Sequence, residues 1–198
     1  KAIPQLTFIN TFFEQPEFIA AFADNGKAMM QKQEYDHVVF SYHGLPDRQI
    51  MKGSVHGFCE LNEHCCSTYN SNNALCYRAQ CFATSRLLAN ALGLDEDKYT
   101  TTFQSRLGKD PWIQPYTDVV LKELPQKGIK KVLAFSPAFV ADCLETTLEV
   151  GETFKEEFLE AGGEVWDLVP SLNSNNAWVE CLEKIVARYR EYRATAEE

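Results

Sequence analysis

Short apolar runs that alternate with stretches of helical periodicity constrain this chain more than any other feature. Val38-Val39-Phe40 and Val132-Leu133-Ala134-Phe135 are bounded by turn-forming residues, Gly44 and Pro46 in one case and Pro137 in the other, and read as buried strands. Three further strands are expected: one carried by Ile3, Leu6, Phe8 and Ile9, one from Tyr99 to Phe103, and one from Val165 to Val169. Helical patterns lie between them. Pro16 opens one that reaches about Gln33, Gly93 stops one running from Tyr77 to Leu92, and a third runs from Pro115 to about Gln126. A fourth extends from about Asp142 to Ala161, before Gly162-Gly163, and the last from Asn176 to Tyr192, with Ala194 to Glu198 expected to fray. This alternation predicts an α/β fold, a parallel sheet with helices on both faces. Right-handed crossovers put every strand-to-helix loop at one edge of such a sheet, and ligands bind at that edge.

With 198 residues and 45% apolar content, the chain is expected to form a single domain over residues 1–198, carrying a cysteine-rich insert at about 53–81. A net charge of -9 without a basic stripe argues against nucleic acid as a partner and suits cations. No run approaches the roughly 18 apolar residues of a membrane span. The longest candidate, Leu133 to Leu144, contains Asp142, so at most peripheral membrane association is expected. The loop Asn10 to Gln15 has neither glycine nor serine, which argues against a phosphate cradle and a flavodoxin-type flavin site.

Candidate chemistry gathers at the strands' carboxyl ends. Phe40-Ser41-Tyr42-His43-Gly44-Leu45-Pro46 leaves the His43 imidazole where a strand stops, Trp112 follows the next strand, and Glu145 and Glu149 occupy the first turns of the helix after Pro137. All can meet in one cleft. At α-helical pitch Glu145, Glu149, Glu152, Glu156 and Glu160 fall within a sector of about 80°. The distal members read as a solvated face. Glu145 and Glu149, beside the cleft, read as acids that raise each other's pKa and hold divalent cations. An imidazole, with its ordinary pKa near 6.5, opposite a carboxylate suits proton removal near neutral pH. Trp112 reads either as a core anchor or as a wall for a flat apolar ligand.

Five of seven cysteines lie between Cys59 and Cys81. An odd, clustered set favours reduced thiols or a metal site over disulfides. His56 and His64 could substitute as ligands but read as solvent-facing loop residues.

Three segments in order resemble the ferrochelatase family: Phe40 to Pro46, Phe103-Gln104-Ser105-Arg106-Leu107-Gly108 with Pro111-Trp112, and Phe139-Val140-Ala141-Asp142-Cys143-Leu144-Glu145-Thr146. The resemblance extends from about Ile3 to Val186. It implies a flavodoxin-like half of a two-half fold that holds porphyrin between its halves, with the N-terminal half absent from this chain. The implied activity is insertion of ferrous iron into protoporphyrin IX to make protohaem, the last step of haem synthesis, with this half inactive alone. The resemblance implies that His43 accepts a pyrrole proton or guides the metal, that Glu145 is its acidic partner, and that Glu149 lies on the metal's path. Trp112 and Ser41 would contact the macrocycle. Cys143 stands where many relatives place a second histidine. The implied location is cytoplasmic, at most peripheral to the inner face of the membrane.

Some bacterial members of this family carry internal cysteines that bind a [2Fe–2S] cluster, which takes four thiolates. The pattern here is Cys59-x5-Cys65-Cys66-x9-Cys76-x4-Cys81, and the ligands expected from it are Cys59, Cys66, Cys76 and Cys81, with Cys65 as the alternate. One helix holding both Cys76 and Cys81 would turn them about 140° apart, so both can be ligands only if that helix begins near Cys81. Structural zinc is the competing occupant. Competing functions are a chelatase for another tetrapyrrole, coproporphyrin or sirohydrochlorin, and a non-catalytic haem- or iron-binding module.

Overall fold

The computed structural model describes residue 6 and residues 8–54, 57–62 and 64–196, with side chains as far as Tyr189. Strands β1 (His37–His43), β2 (Tyr99–Gln104), β3 (Lys131–Phe135) and β4 (Val165–Leu168) form one parallel sheet in the order β2-β1-β3-β4. Around it lie α1 (Pro16–Met30), α2 (Asp47–Lys52), α3 (Tyr77–Leu92), α4 (Thr117–Glu123), α5 (Phe154–Glu160) and α6 (Asn176–Ala196). A π-helix, Glu145–Thr153, runs directly into α5.

The period of two along each strand sorts the core into two layers. Val38, Phe40 and Tyr42 of β1 and Leu133 and Phe135 of β3 pack with Phe18 and Phe22 of α1, Leu88 of α3 and Trp178 of α6. Val39, Val132 and Ala134 face the other way, against Leu121 of α4, Val150 of the π-helix, Phe158 of α5 and Trp166 of β4. Because both faces are covered, the central strands need apolar residues at nearly every position, which is why they read as unbroken apolar runs.

Four expectations require correction. The strand predicted over Ile3, Leu6, Phe8 and Ile9 is not formed where it can be described: residues 8–10 are irregular, and Leu6 and Phe8 are 75% and 78% exposed, while Ile3 lies outside the described residues. An apolar run becomes a strand only by pairing, and this one pairs with nothing described. α4 begins at Thr117 rather than at Pro115, and α6 continues past Tyr192 to Ala196, through residues that include two alanines, the strongest helix former. The helix expected from Asp142 begins at Glu145, and its first nine residues take π rather than α geometry.

Strand lengths create the site. Pairing of β1 with β3 ends at Phe40↔Phe135, whereas pairing with β2 continues to His43↔Gln104. Ser41, Tyr42 and His43 therefore project past β3 and leave a notch at the carboxyl edge. From β1 the chain turns towards β2, and from β3 it turns towards β4, so the two connections diverge at that notch. Such a switch point is where open α/β sheets bind ligands.

Candidate functional site

The turn after β1 is zipped to the loop after β2. The Gly44 N–H donates to the Gln104 carbonyl at 2.8 Å, the Ile113 N–H to Leu45 at 3.0 Å, and the Asp47 N–H to Pro111 at 3.0 Å. Glycine permits this approach: a Cβ on Gly44 would stand 3.0 Å from the Gln104 carbonyl oxygen and 3.2 Å from the Trp112 ring. Trp112 is thereby brought to 6.4 Å from His43, ring centre to ring centre. Its indole N–H, bonded to the Leu107 carbonyl at 3.0 Å, fixes the plane of the ring. Phe139, from the loop after β3, stands 6.5 Å from His43 on a second side.

His43 is held by its own turn. Its Nδ1 lies 2.7 Å from the Gly44 carbonyl oxygen, and the Tyr77 hydroxyl donates to the His43 carbonyl at 2.9 Å. A carbonyl only accepts, so this contact requires the hydrogen on Nδ1. The neutral ring then keeps the Nε2 lone pair as its base.

Glu145 enters from the first turn of the π-helix. A hydrogen bond from the Cys143 thiol and one from its own N–H hold its carboxyl below the ordinary range against partial burial, and a proton on His43 adds to this whenever that ring carries one. The expectation that crowded acids raise its pKa is thus reversed, because the hydrogen-bond donors outweigh the cost of burial. Glu149 accepts from the Ser105 N–H at 2.8 Å, from the Ser105 hydroxyl and from the Gln104 amide at 3.2 Å. Ser105 takes φ 62, a left-handed conformation rare outside glycine, and this turns its N–H and hydroxyl towards one carboxylate. The common α-helical file of five glutamates does not form. Hydrogen bonds to the fifth residue widen the turns that carry Glu145, Glu149 and Glu152, while Glu156 and Glu160 lie on α5.

Ser41, expected to touch a substrate, has no accessible surface; its hydroxyl donates to Gln104 Oε1 at 2.7 Å. Its part is to orient Gln104, whose amide also donates to the Glu145 carbonyl at 3.0 Å. Gln104 was not singled out from the sequence, although it stands in the Phe103 to Gly108 segment. Phe139 is likewise visible in the sequence only as a member of a motif, and nothing there gives Asp142 a partner. Asp142 clasps Asn173 in the loop after β4: its N–H donates to Asn173 Oδ1 at 2.9 Å, and its carboxylate accepts from Asn173 Nδ2 at 2.7 Å. The Asn173 N–H in turn donates to the Val140 carbonyl at 2.8 Å, so the loop bearing Phe139 is tied at both residues.

The insert gathers four thiols. Cys65 and Cys66 share a 3-10 turn with their sulfurs 3.8 Å apart, and Cys76 caps the start of α3. A hydrogen bond from Cys66 pulls Cys76 down to about 6, helped by the N–H groups of Ala79 and Arg78 and the Arg78 charge, and the same bond pushes Cys66 up. Burial raises Cys59, which neighbours Cys65 and Cys76. α3 begins at Tyr77, so the condition for Cys76 and Cys81 to face one metal is not met. Cys81 is buried one turn into the helix, where its thiol is pushed up, bonds Tyr77 and lines a separate apolar cavity of about 170 Å³ with Phe12, Phe13, Phe18 and Tyr42. Cys59, Cys65, Cys66 and Cys76 thus neighbour one another, and Cys81, whose thiol also feels that of Cys76, stands one helical turn further in. As they stand, no three histidine, cysteine or acidic side chains among the described residues are arranged to hold a metal ion. His64 is exposed, and His56 lies outside the described residues.

Among the described residues no helix is long and apolar enough to cross a membrane. Residues 1–190 match the family model for ferrochelatase. The chain is 45% identical over 186 residues to the ferrochelatase of Pseudomonas fluorescens (strain Pf0-1) and 46% over 184 residues to that of Legionella pneumophila (strain Lens). It is 43% identical over 190 residues to that of Pseudomonas putida (strain W619). These alignments cover 93% of this chain and 54%, 54% and 56% of the three relatives, so the chain spans about half the length of the curated relatives it matches. A match over nearly the whole chain, with His43, Trp112 and Glu145 meeting at the switch point, leads to one assignment: this chain belongs to the ferrochelatase family.

Proposed function

We propose that this chain supplies the metal-inserting edge of an enzyme that places ferrous iron in protoporphyrin IX to make protohaem, and that it turns over only together with the remaining half of the protein. The observation that carries this reading is one notch holding an imidazole with a free Nε2, a carboxylate kept ionised, and two aromatic rings. Metal insertion releases two pyrrole protons and changes no oxidation state, so the protein must remove protons and steer a cation. His43 Nε2 accepts a pyrrole proton, passes it to solvent, and then accepts the second. Glu145, anionic near neutral pH, stabilises the resulting imidazolium and attracts the incoming Fe2+. Glu149, pinned by Gln104 and Ser105, presents a second charge along the same helix, and Trp112 and Phe139 offer faces to the macrocycle.

In the insert, a [2Fe–2S] cluster is the proposed cofactor. Ligands about 2.3 Å from a tetrahedral centre stand ~3.8 Å apart, which is the Cys65–Cys66 sulfur separation. Cys59, Cys65, Cys66 and Cys76 are the four thiols that would hold it. Bound there, it would supply a site for one-electron chemistry; the proton and cation steps above do not use it.

The test is anaerobic metal insertion by the full-length protein, followed by the porphyrin's spectral change. A clear wild-type rate that His43→Ala abolishes is the expected result. An inactive wild type that binds haem tightly would point to a binding module, and a rate with coproporphyrin alone would reassign the substrate. Iron and sulfide content distinguishes the cluster from zinc.

A further inference from the structure

Between the insert and the Trp112 loop lies a cavity of about 320 Å³, lined by Asp47, Asn62, Arg78, Trp112 and Gln114 among others. Arg78 spans it. The side chain is buried, with 5% of the residue exposed, and its planar fork grips both walls. Nε and Nη2 donate to the Gln114 carbonyl at 3.2 and 3.0 Å, and Nη1 donates to the Asn62 carbonyl at 3.0 Å. The guanidinium also stacks over Phe82 at 4.7 Å, which fixes its plane.

Both carbonyls report to chemistry. That of Asn62 also accepts from the Cys65 thiol at 3.4 Å, so Arg78 and a thiol of the nest share one oxygen. The Asn62 side chain accepts from the Cys65 N–H at 3.0 Å as well. On the other side, Gln114 is followed back along the chain by Ile113, whose N–H holds Leu45 in the His43 turn, and by Trp112 itself. A change at Cys65, whether metal ligation, oxidation or blocking, removes its S–H from the shared oxygen and alters what Arg78 holds.

We propose that Arg78 is a positioning residue that couples the thiol nest to the aromatic wall of the site, so that the state of Cys65 sets how firmly the Trp112–Gln114 segment is ordered. The coupling rests on the proposed function for its consequence, and on hydrogen bonds alone for its existence. It gives the insert a role: a sensor whose output is the posture of Trp112.

The experiment is a double-mutant cycle on the full-length protein, read by amide hydrogen exchange at Ile113. R78Q is expected to speed that exchange roughly tenfold or more, the equivalent of losing a hydrogen bond to a charged group. R78K should resemble it, because a point charge cannot bridge two carbonyls as a fork does. C65A should speed the same amide by less, and adding C65A to R78Q should change nothing further. Additive effects, or an Ile113 amide indifferent to C65A, would overturn the coupling. An Arg78 that merely supports α3 would lower the melting temperature without cancelling the C65A effect. Should R78Q fail to fold, C65A decides by itself. Metal content of the wild type is a separate arm: a protein with neither iron nor zinc counts against the cluster, while the exchange rates still decide the coupling.

Discussion

His37 and His43 stand six residues apart on one strand and, by the period of two, on the same face of it, yet the sheet gives them opposite characters. His37, at the amino end of β1, is 6% exposed, and its Nε2 contacts Thr100 Oγ1 at 2.8 Å. Burial, reinforced by Lys98 and Lys127 against Asp97, pushes it down to about 4. His43, at the carboxyl end, projects past β3 into the notch, beside an ionised carboxylate and two rings. One histidine is kept neutral as a piece of core, and the other is presented at the open edge, where the proposed function makes it a base. The lesson is that in a parallel sheet the end of the strand decides what a histidine does, because crossovers leave open loops at the carboxyl end and pack the interior.

The largest expected effect comes from the open member of the pair. His43→Ala in the full-length protein should slow metal insertion by about 10²- to 10⁴-fold, the range for a lost general base, while His37→Gln should leave the rate within about twofold. Equal losses at both positions would break the comparison. Next in size, Glu145→Gln should lower the rate by about 10²-fold with little effect on porphyrin affinity, since the proposed function requires its charge when protons leave and iron enters. A raised KM with unchanged kcat would instead make Glu145 a simple binding group.

Smaller still is the stability carried by His37. Its folded ring takes a proton only near pH 4, whereas the unfolded ring takes one near 6.5. Between those values the unfolded state binds more protons, so stability falls as pH drops from about 6.5 towards 4, by at most about 3 kcal/mol. Urea unfolding across that window should show His37→Gln with a flatter slope than wild type. The smallest effect belongs to the clasp below His43's aromatic neighbour. Asn173, at φ 47, bonds Asp142 through both its amide groups, and Asn173→Ala should cost about 1 kcal/mol in thermal unfolding. Asn173→Gly relieves the backbone but not the lost bonds, so it should recover only part of the cost.

Much of this was legible in the chain itself. Four of the five expected strands form among the described residues, because a short apolar run bounded by Gly or Pro states both how much it must bury and where it must stop. His43, Trp112 and Glu145 could be assigned to one edge from strand order alone. Other features were not local. Residues 6, 8 and 9 read as part of a strand but have no described partner to pair with, and the burial of Cys81 within α3 follows only from the helix beginning at Tyr77. Nothing in the spacing of the glutamates announces a π turn. Gln104, Arg78 and Asn173 acquire their roles from contacts 16 to 63 residues away in sequence. Sequence by itself determined the layers and the edge, since hydrophobic period and turn chemistry act over a few residues. Tertiary structure decided which donor meets which acceptor at that edge, since a hydrogen bond depends on the register of strands brought together from across the whole chain.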